Sequence, residues 1–208
     1  HIEALAAWLR GLGVPGDIPL LLYDDADGRD GAMLAWILEY LGHADVRFLR
    51  QPFSRWPDLG GELYYRPVAP PPARFTPRPI PELRARRQDV QRAIAEGAGP
   101  VLLDTRTREE FVGDVEVDGR GGHLPGAVHV PWEGFRPQEG DLFPTATDAA
   151  LILKAAGIAP GRPIIAYCLR GPRAAVPTMA LRLHGYDVRL YDGSFSDWIR
   201  DSAAPIEQ

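Results

Sequence analysis

The sequence predicts an α/β protein made of two related units, each a parallel sheet flanked by helices. The first observation behind this is an internal repeat. "GVPGDIPLLLY" (Gly13 to Tyr23) aligns with "GIAPGRPIIAY" (Gly157 to Tyr167), and "DVRFLRQPFSRW" (Asp45 to Trp56) aligns with "DVRLYDGSFSDW" (Asp187 to Trp198). The second is what each matched pair encloses: "GAMLAWILEYLG" in one copy and "RAAVPTMALRLHG" in the other, both with apolar residues at three- and four-residue spacing. Each unit therefore reads strand, loop, helix, strand, the βαβ order of a parallel sheet.

The first unit spans residues 1–65. Residues 66–83, "RPVAPPPARFTPRPIPEL", contain seven prolines and read as an extended connector, because proline fixes φ and offers no N–H to a helix or a central strand. The second unit spans 84–208. "ELRARRQDVQR" (Glu82 to Arg92), a solvated helix face, leads into it from the end of the connector, followed by the buried-strand run "PVLLDT" and the short helical turn "RTREEFVG". "GGHLPGAVHVPW" is a Gly/Pro-punctuated loop into another strand, and "TDAALILKAAG" is a helix capped by Thr147 or Asp148 and stopped at Gly157. The counterpart of Asp104 in the first copy would fall ahead of His1. The first unit is therefore expected to be incomplete, with a sheet edge that wants covering.

Composition narrows the class. Apolar residues make up 45% and charged residues 25%, with a formal net charge of −5. That balance is globular and argues against nucleic acid as a partner, which calls for a basic excess on one face. Of 23 basic residues only Lys154 is a lysine, a bias of composition rather than of one site. A single cysteine cannot form an internal disulfide, and no signal peptide is visible, so the expectation is a cytoplasmic protein. The chain starts at His1 rather than Met, which leaves room for a missing leader or longer N-terminal part. Apolar runs such as "IPLLLY" fall far short of the roughly 20 residues a membrane helix needs, so no membrane is expected. His1, His43, His129 and His184 make no ligand pattern with Cys168, so neither a metal nor a cofactor is expected.

The chemistry concentrates in "AYCLRGPRAA" (Ala166 to Ala175). Cys168 ends an apolar strand just before a helix, where open α/β sheets bind ligands. Backbone N–H groups and the helix dipole converge there, and Arg170 and Arg173 add full charges. All three favour the thiolate, the nucleophilic form. Gly171 allows the tight loop and Pro172 stiffens the helix entry. The residues therefore read as a nucleophile in an anion cradle, made of Leu169, Arg170, Gly171, Pro172 and Arg173.

With "LLDTRTREEF", "GGHLPGAVHVPW", "CLRGPR" and "HGYDVRLYDGSFSDW" in this order, the sequence resembles the tandem-domain rhodanese family, thiosulfate or 3-mercaptopyruvate sulfurtransferases. The resemblance implies two rhodanese-like domains, the N-terminal one incomplete and catalytically silent, with Asp24 at the place of Cys168. It implies transfer of a sulfane sulfur from a small-molecule donor to cyanide or a thiol through a persulfide on Cys168, with a protein acceptor also allowed. Cysteine phosphatases use C-x5-R, whereas Cys168 to Arg173 is C-x4-R and Ala174 stands at the phosphatase arginine.

Arg170 and Arg173 suit the oxygens of thiosulfate, so that donor is favoured over mercaptopyruvate. One departure opposes this. Tandem relatives often carry a substrate-binding arginine six residues after the aspartate matching Asp104, and here Glu110 stands there, a carboxylate expected to repel an anion. Arg106 or Arg108 is the expected substitute, or Arg173 itself. The resemblance also puts Asp104 beneath the loop and Trp198 near the pocket, while repetition of Trp198 as Trp56 points to core packing. His123 reads as a structural hydrogen-bonding residue. The alternative to an enzyme is a non-catalytic persulfide carrier or interaction module that keeps the loop.

Overall fold

The computed structural model describes residues 2–25, 27–66, 69–97, 99–137 and 140–208. His1, and Pro67 and Val68 of the Pro-rich stretch, lie outside the described residues. The chain divides into two compact units, His1–Pro81 and Glu82–Gln208.

The first unit holds α1 (Ile2–Gly11), β1 (Leu20–Leu22), α2 (Arg29–Tyr40) and β2 (Val46–Phe48). β1 and β2 pair in parallel, with Leu20 opposite Val46 and Leu22 opposite Phe48. α2 buries Ala32, Ala35, Trp36, Leu38 and Tyr40, the three-four spacing seen in the sequence. Gly31 lets the helix lie close to the strand, since a Cβ there would stand 2.5 Å from the Phe48 ring.

The Pro-rich stretch is not a free connector. Its non-proline residues keep their N–H groups and give them to carbonyls at the ends of the unit's helices. Ala73 N donates to Arg10 O (3.1 Å), Arg78 N to Leu41 O (2.8 Å) and Ile80 N to Tyr40 O (2.8 Å). The last carbonyls of a helix have no partner within it, so an extended strand with intermittent donors is a suitable cap. Phe75, only 3% exposed, anchors the stretch, and its carbonyl accepts from Arg10 Nη1 (3.0 Å). The boundary between units thus falls at Pro81 rather than across 66–83.

The second unit holds α3 (Arg87–Glu96), β3 (Val101–Asp104), α4 (Arg108–Val112), β4 (Val128–His129), α5 (Ala146–Ala155), β5 (Ile164–Tyr167), α6 (Pro172–Leu183), β6 (Val188–Leu190) and α7 (Ser194–Trp198). Its sheet has the order β4-β3-β5-β6, parallel throughout. β5 sits inside the sheet and all four of its residues are buried. Such a strand, covered on both faces, reads as a continuous apolar run rather than an alternating one. One core cluster joins Val90 and Ala93 of α3, Leu102 of β3, Ile165 and Tyr167 of β5, and Phe195 and Trp198 of α7. α5 is capped by Thr145, whose hydroxyl accepts from Asp148 N (3.2 Å), one turn-start earlier than the expected Thr147 or Asp148.

The Gly-His loop is tied down by the chain's last residues. His123 N donates to Glu207 O (2.8 Å) and Glu207 N to His123 O (2.9 Å). Gly122, at φ 113°, is required by that approach, because a Cβ would lie 2.1 Å from the Glu207 carbonyl. The repeated tryptophans diverge: Trp198 is 1% exposed, whereas Trp56 is half-buried, donating to Glu62 O (3.2 Å).

Phe75→Ala is expected to destabilise the first unit by about 3–5 kcal/mol, the range for emptying a buried aromatic site. A lower urea midpoint is the readout, and an unchanged midpoint would return the Pro-rich stretch to the status of a loose connector.

Candidate active site

Cys168 follows directly on β5, and its sulfur lies at the mouth of α6. Gly171 N donates to Cys168 Sγ (3.1 Å), with Gly171 at φ 109°, a conformation that suits a residue without Cβ. Pro172 occupies the first helical position, where its missing N–H costs nothing. The N–H groups of Leu169, Arg170 and Arg173 find no acceptor among the described residues. The loop therefore leaves backbone donors unclaimed at the positive end of a twelve-residue helix, a setting that suits an anion.

The turn into α7 clamps the loop from behind. Phe195 N donates to Cys168 O (3.0 Å), Ser196 N to Leu169 O (3.1 Å) and Cys168 N to Ser194 Oγ (3.2 Å). Ser194 Oγ in turn donates to Tyr191 O (2.8 Å) and stands 4.0 Å from Cys168 Sγ. Ser194 is fully buried at φ 56°, a left-handed conformation unusual for serine. Such strain persists where surrounding contacts over-determine it, and it clusters at functional sites. Nothing in the sequence around Ser194 marks it, because a serine gives no local sign of a positive φ.

Beneath the loop lies a buried ion pair. Asp104 and Arg106 are both 0% exposed; Arg106 Nη2 donates to Asp104 Oδ2 (2.6 Å), Nε reaches both carboxylate oxygens (3.1 Å), and Arg106 N donates to Oδ1 (2.9 Å). The guanidinium also donates to Gly122 O (2.8 Å) and lies over the Phe195 ring, 4.0 Å from its centroid. Burial opposes the charge on Arg106, but the hydrogen-bonded Asp104 more than offsets this and raises its pKa. Burial likewise pushes the Tyr167 hydroxyl well above the ordinary tyrosine value. Arg106 is thus a floor residue with no surface to offer a donor, unlike the substrate contact expected from its place near Glu110. Arg108 is exposed on α4.

Glu110 departs from expectation in a different way. It faces Arg173, which donates Nη1 to Oε2 (2.6 Å) and Nη2 to Oε1 (2.8 Å). Burial works against its charge, yet the Arg173 donors, the Thr107 N–H and the charges of Arg173 and Arg106 outweigh it and hold its carboxyl below the usual glutamate range. Arg173 is raised by Glu110 first, and also by the Cys168 sulfur within its reach. Arg170 is exposed and makes no ion pair among the described residues. Trp198 packs in the core cluster, as the repeat suggested, and donates Nε1 to Pro205 O (2.9 Å).

His43, His123, His129 and His184 each place a ring nitrogen 2.9–3.1 Å from a backbone carbonyl. Among the described residues no group of three or more His, Cys, Asp or Glu side chains could hold a metal ion, and no helix is long and apolar enough to cross a membrane.

Arg106→Met is expected to destabilise the protein by about 3–5 kcal/mol, because it strands the Asp104 carboxylate in the interior. Urea unfolding measures this; a loss under about 1 kcal/mol would mean that water reaches the pair. Ser194→Ala removes the acceptor of Cys168 N and is expected to lower kcat/KM about tenfold, with a smaller change in urea midpoint than Arg106→Met. An unchanged kcat/KM would show that the two backbone bonds alone hold the loop.

Comparison with known proteins agrees with this architecture. The family model described as "Rhodanese-like domain" matches residues 87–201. SseB of Mycobacterium tuberculosis, assigned as a thiosulfate sulfurtransferase, is 34% identical over 98% of this chain and 72% of its own. The sulfur carrier protein TtuD of Thermus thermophilus is 31% identical over 98% of this chain and 76% of its own. The crystal structure of SseA from Escherichia coli, a 3-mercaptopyruvate sulfurtransferase of "Rhodanese" fold, superposes with a TM-score of 0.83 at 30% identity, covering 94% of this chain and 73% of SseA. On this sequence and structural likeness, the chain belongs to the rhodanese family of sulfurtransferases.

Proposed function

We propose that this protein moves a sulfane sulfur from thiosulfate to cyanide or another external thiophilic acceptor through a persulfide on Cys168. The observation that carries the reading is the seat of the sulfur: Sγ accepts the Gly171 N–H at the start of α6, within a loop whose other N–H groups are unclaimed and whose Arg170 is unpaired among the described residues. In the first half-reaction the Cys168 thiolate attacks the terminal sulfur of thiosulfate. The donor's S–S bond breaks, sulfite leaves with the electron pair, and a Cys168 persulfide forms. In the second, cyanide or a thiolate attacks the outer sulfur and the Cys168 thiolate is regenerated. The unclaimed N–H groups and Arg170 stabilise the charge that gathers on the departing sulfite. Cys168 is the one cysteine of residues 1–208, so no other thiol among them can serve as acceptor.

Within this proposal the first unit is catalytically silent. At the place of Cys168 it carries Asp24, whose Oδ2 accepts from Gly31 N of α2 (3.0 Å). Two alternatives have support. Likeness to SseA favours mercaptopyruvate as donor, and likeness to TtuD favours a carrier that hands its sulfur to a protein.

Intact-mass spectrometry after thiosulfate, and again after cyanide, tests the reading. A gain of one sulfur atom that cyanide removes is expected, and Cys168→Ser is expected to abolish both gain and turnover. Arg170→Gln is expected to raise KM for thiosulfate about tenfold, the value of one charge-assisted hydrogen bond. Sulfur loading by mercaptopyruvate but not thiosulfate would overturn the donor assignment. Stoichiometric loading without turnover would favour the carrier, and no loading by either would leave Cys168 a structural residue.

A further inference from the structure

We propose that Glu110 is a specificity-determining residue of the donor site: by pairing with Arg173 it withdraws one of the loop's two cationic charges and so limits the charge of the donor the cradle accepts. This inference rests on the sulfur-transfer reading above and concerns the same site: thiosulfate, a dianion, is accepted there against the Glu110 charge and loses selectivity to a singly charged donor.

The pair is built to persist. Glu110 is held from its own helix as well as by Arg173: Thr107 N donates to Glu110 Oε2 (3.0 Å) and Glu110 N donates to Thr107 Oγ1 (3.3 Å), a reciprocal cap at the start of α4. Arg173 is placed by the first turn of α6, five residues after the nucleophile. The two side chains are 10% and 18% exposed, so salt screens their attraction less than it would on an open surface. The doubly hydrogen-bonded geometry uses both carboxylate oxygens and both terminal guanidinium nitrogens. The pair is not remote from the cysteine, because Arg173 stands in the first turn of the helix whose N-cap, Gly171, gives its N–H to Cys168 Sγ (3.1 Å).

The electrostatic consequence follows from the count of charges at the loop. Arg173 and Glu110 cancel, which leaves Arg170 as the cation without an ion pair among the described residues. A donor with one negative charge is matched by Arg170 and the backbone N–H groups. A second charge on the donor's oxygen end gains little from Arg173 and is repelled by the Glu110 carboxylate beside it. A carboxylate held on a neighbouring helix is a repulsive element of the kind that discriminates between ligands of similar shape.

Thiosulfate and methanethiosulfonate make a matched pair of probes. Both present a terminal sulfane sulfur on a sulfonyl group, but a methyl replaces one charged oxygen in the second. Each reacts by the same balanced step: the Cys168 thiolate bonds the terminal sulfur, the donor S–S bond breaks, and sulfite or methanesulfinate leaves with the electron pair. Glu110→Gln keeps the length and a carbonyl acceptor for Thr107 N while removing the charge. It is expected to raise the ratio of kcat/KM for thiosulfate over that for methanethiosulfonate about tenfold. A structural role alone would lower both donors together and leave the ratio in place, which would overturn the proposal. Thr107→Ala, which loosens the same cap and keeps the carboxylate, is expected to leave the ratio unmoved, and a tenfold shift there would also count against a charge effect.

If Glu110→Gln does not fold, the unmodified protein still decides the matter. Its KM for thiosulfate is expected to be no lower than for methanethiosulfonate, and a tenfold lower value for the dianion would overturn the inference. Sulfur loading of wild-type Cys168, followed by mass in the same samples, separates the two levels. Loading with an unmoved ratio sinks only the role of Glu110. Absence of loading by both probes sinks the sulfur-transfer reading, and this inference with it.

Discussion

The second unit is organised around the buried Asp104–Arg106 pair. Two opposite charges taken fully out of water must satisfy one another, and the carboxylate here accepts from a backbone N–H as well as from the guanidinium. In doing so the pair draws together four segments that are distant in sequence. Asp104 ends β3, Gly122 offers its carbonyl from the Gly-His loop, and the rings of Tyr167 and Phe195 lie against the guanidinium from β5 and α7. Those segments are the floor on which the cysteine loop rests. Thr105, next to the pair, fastens the two strand ends by giving its N–H and its hydroxyl to Tyr167 O (3.0 and 2.9 Å).

Above that floor the loop is fixed by backbone bonds and tuned by charge. The turn 193–196 takes both carbonyls that lead out of β5, while the Leu169 and Arg170 N–H groups are left without an acceptor among the described residues. The burial of Cys168, at 1% exposed, and the approach of Gly171 N to its sulfur make it a small, donor-lined seat. The Glu110–Arg173 pair ties α4 to α6 across this seat, so the helix that supplies one wall also supplies the counter-charge of the other.

The two copies of the repeat show the same local device with different occupants. Both helices after the strand run twelve residues, and in both the residue leaving the strand accepts an N–H from the start of the helix. In the first copy the acceptor is the Asp24 carboxylate, which fills the positive end of α2. In the second it is the Cys168 sulfur. A carboxylate held at a helix N-terminus is a stable cap, so the two copies can keep the same local geometry with different residues at that position.

The fold class, the strand order along the chain and the cysteine loop were legible because each depends on neighbours in sequence: apolar runs, three-four spacing, and a cysteine, glycine and proline between strand and helix. What the sequence left open depends on partners far along the chain. Glu110 read as a repellent because Arg173, 63 residues away, could not be seen to face it. Arg106 read as a substrate contact because the closure of β3 against β5, which encloses it with Asp104, could not be seen. Trp198 and Trp56 match in the repeat, yet only the one covered by α3 and the sheet became core. The Pro-rich stretch read as a connector because prolines cannot donate, whereas the residues between them could, once helix ends with unpaired carbonyls lay alongside. Local chemistry determined which elements form and where the cysteine loop sits; burial and long-range pairing decided which charges around that loop remain available, because only the folded chain removes them from water.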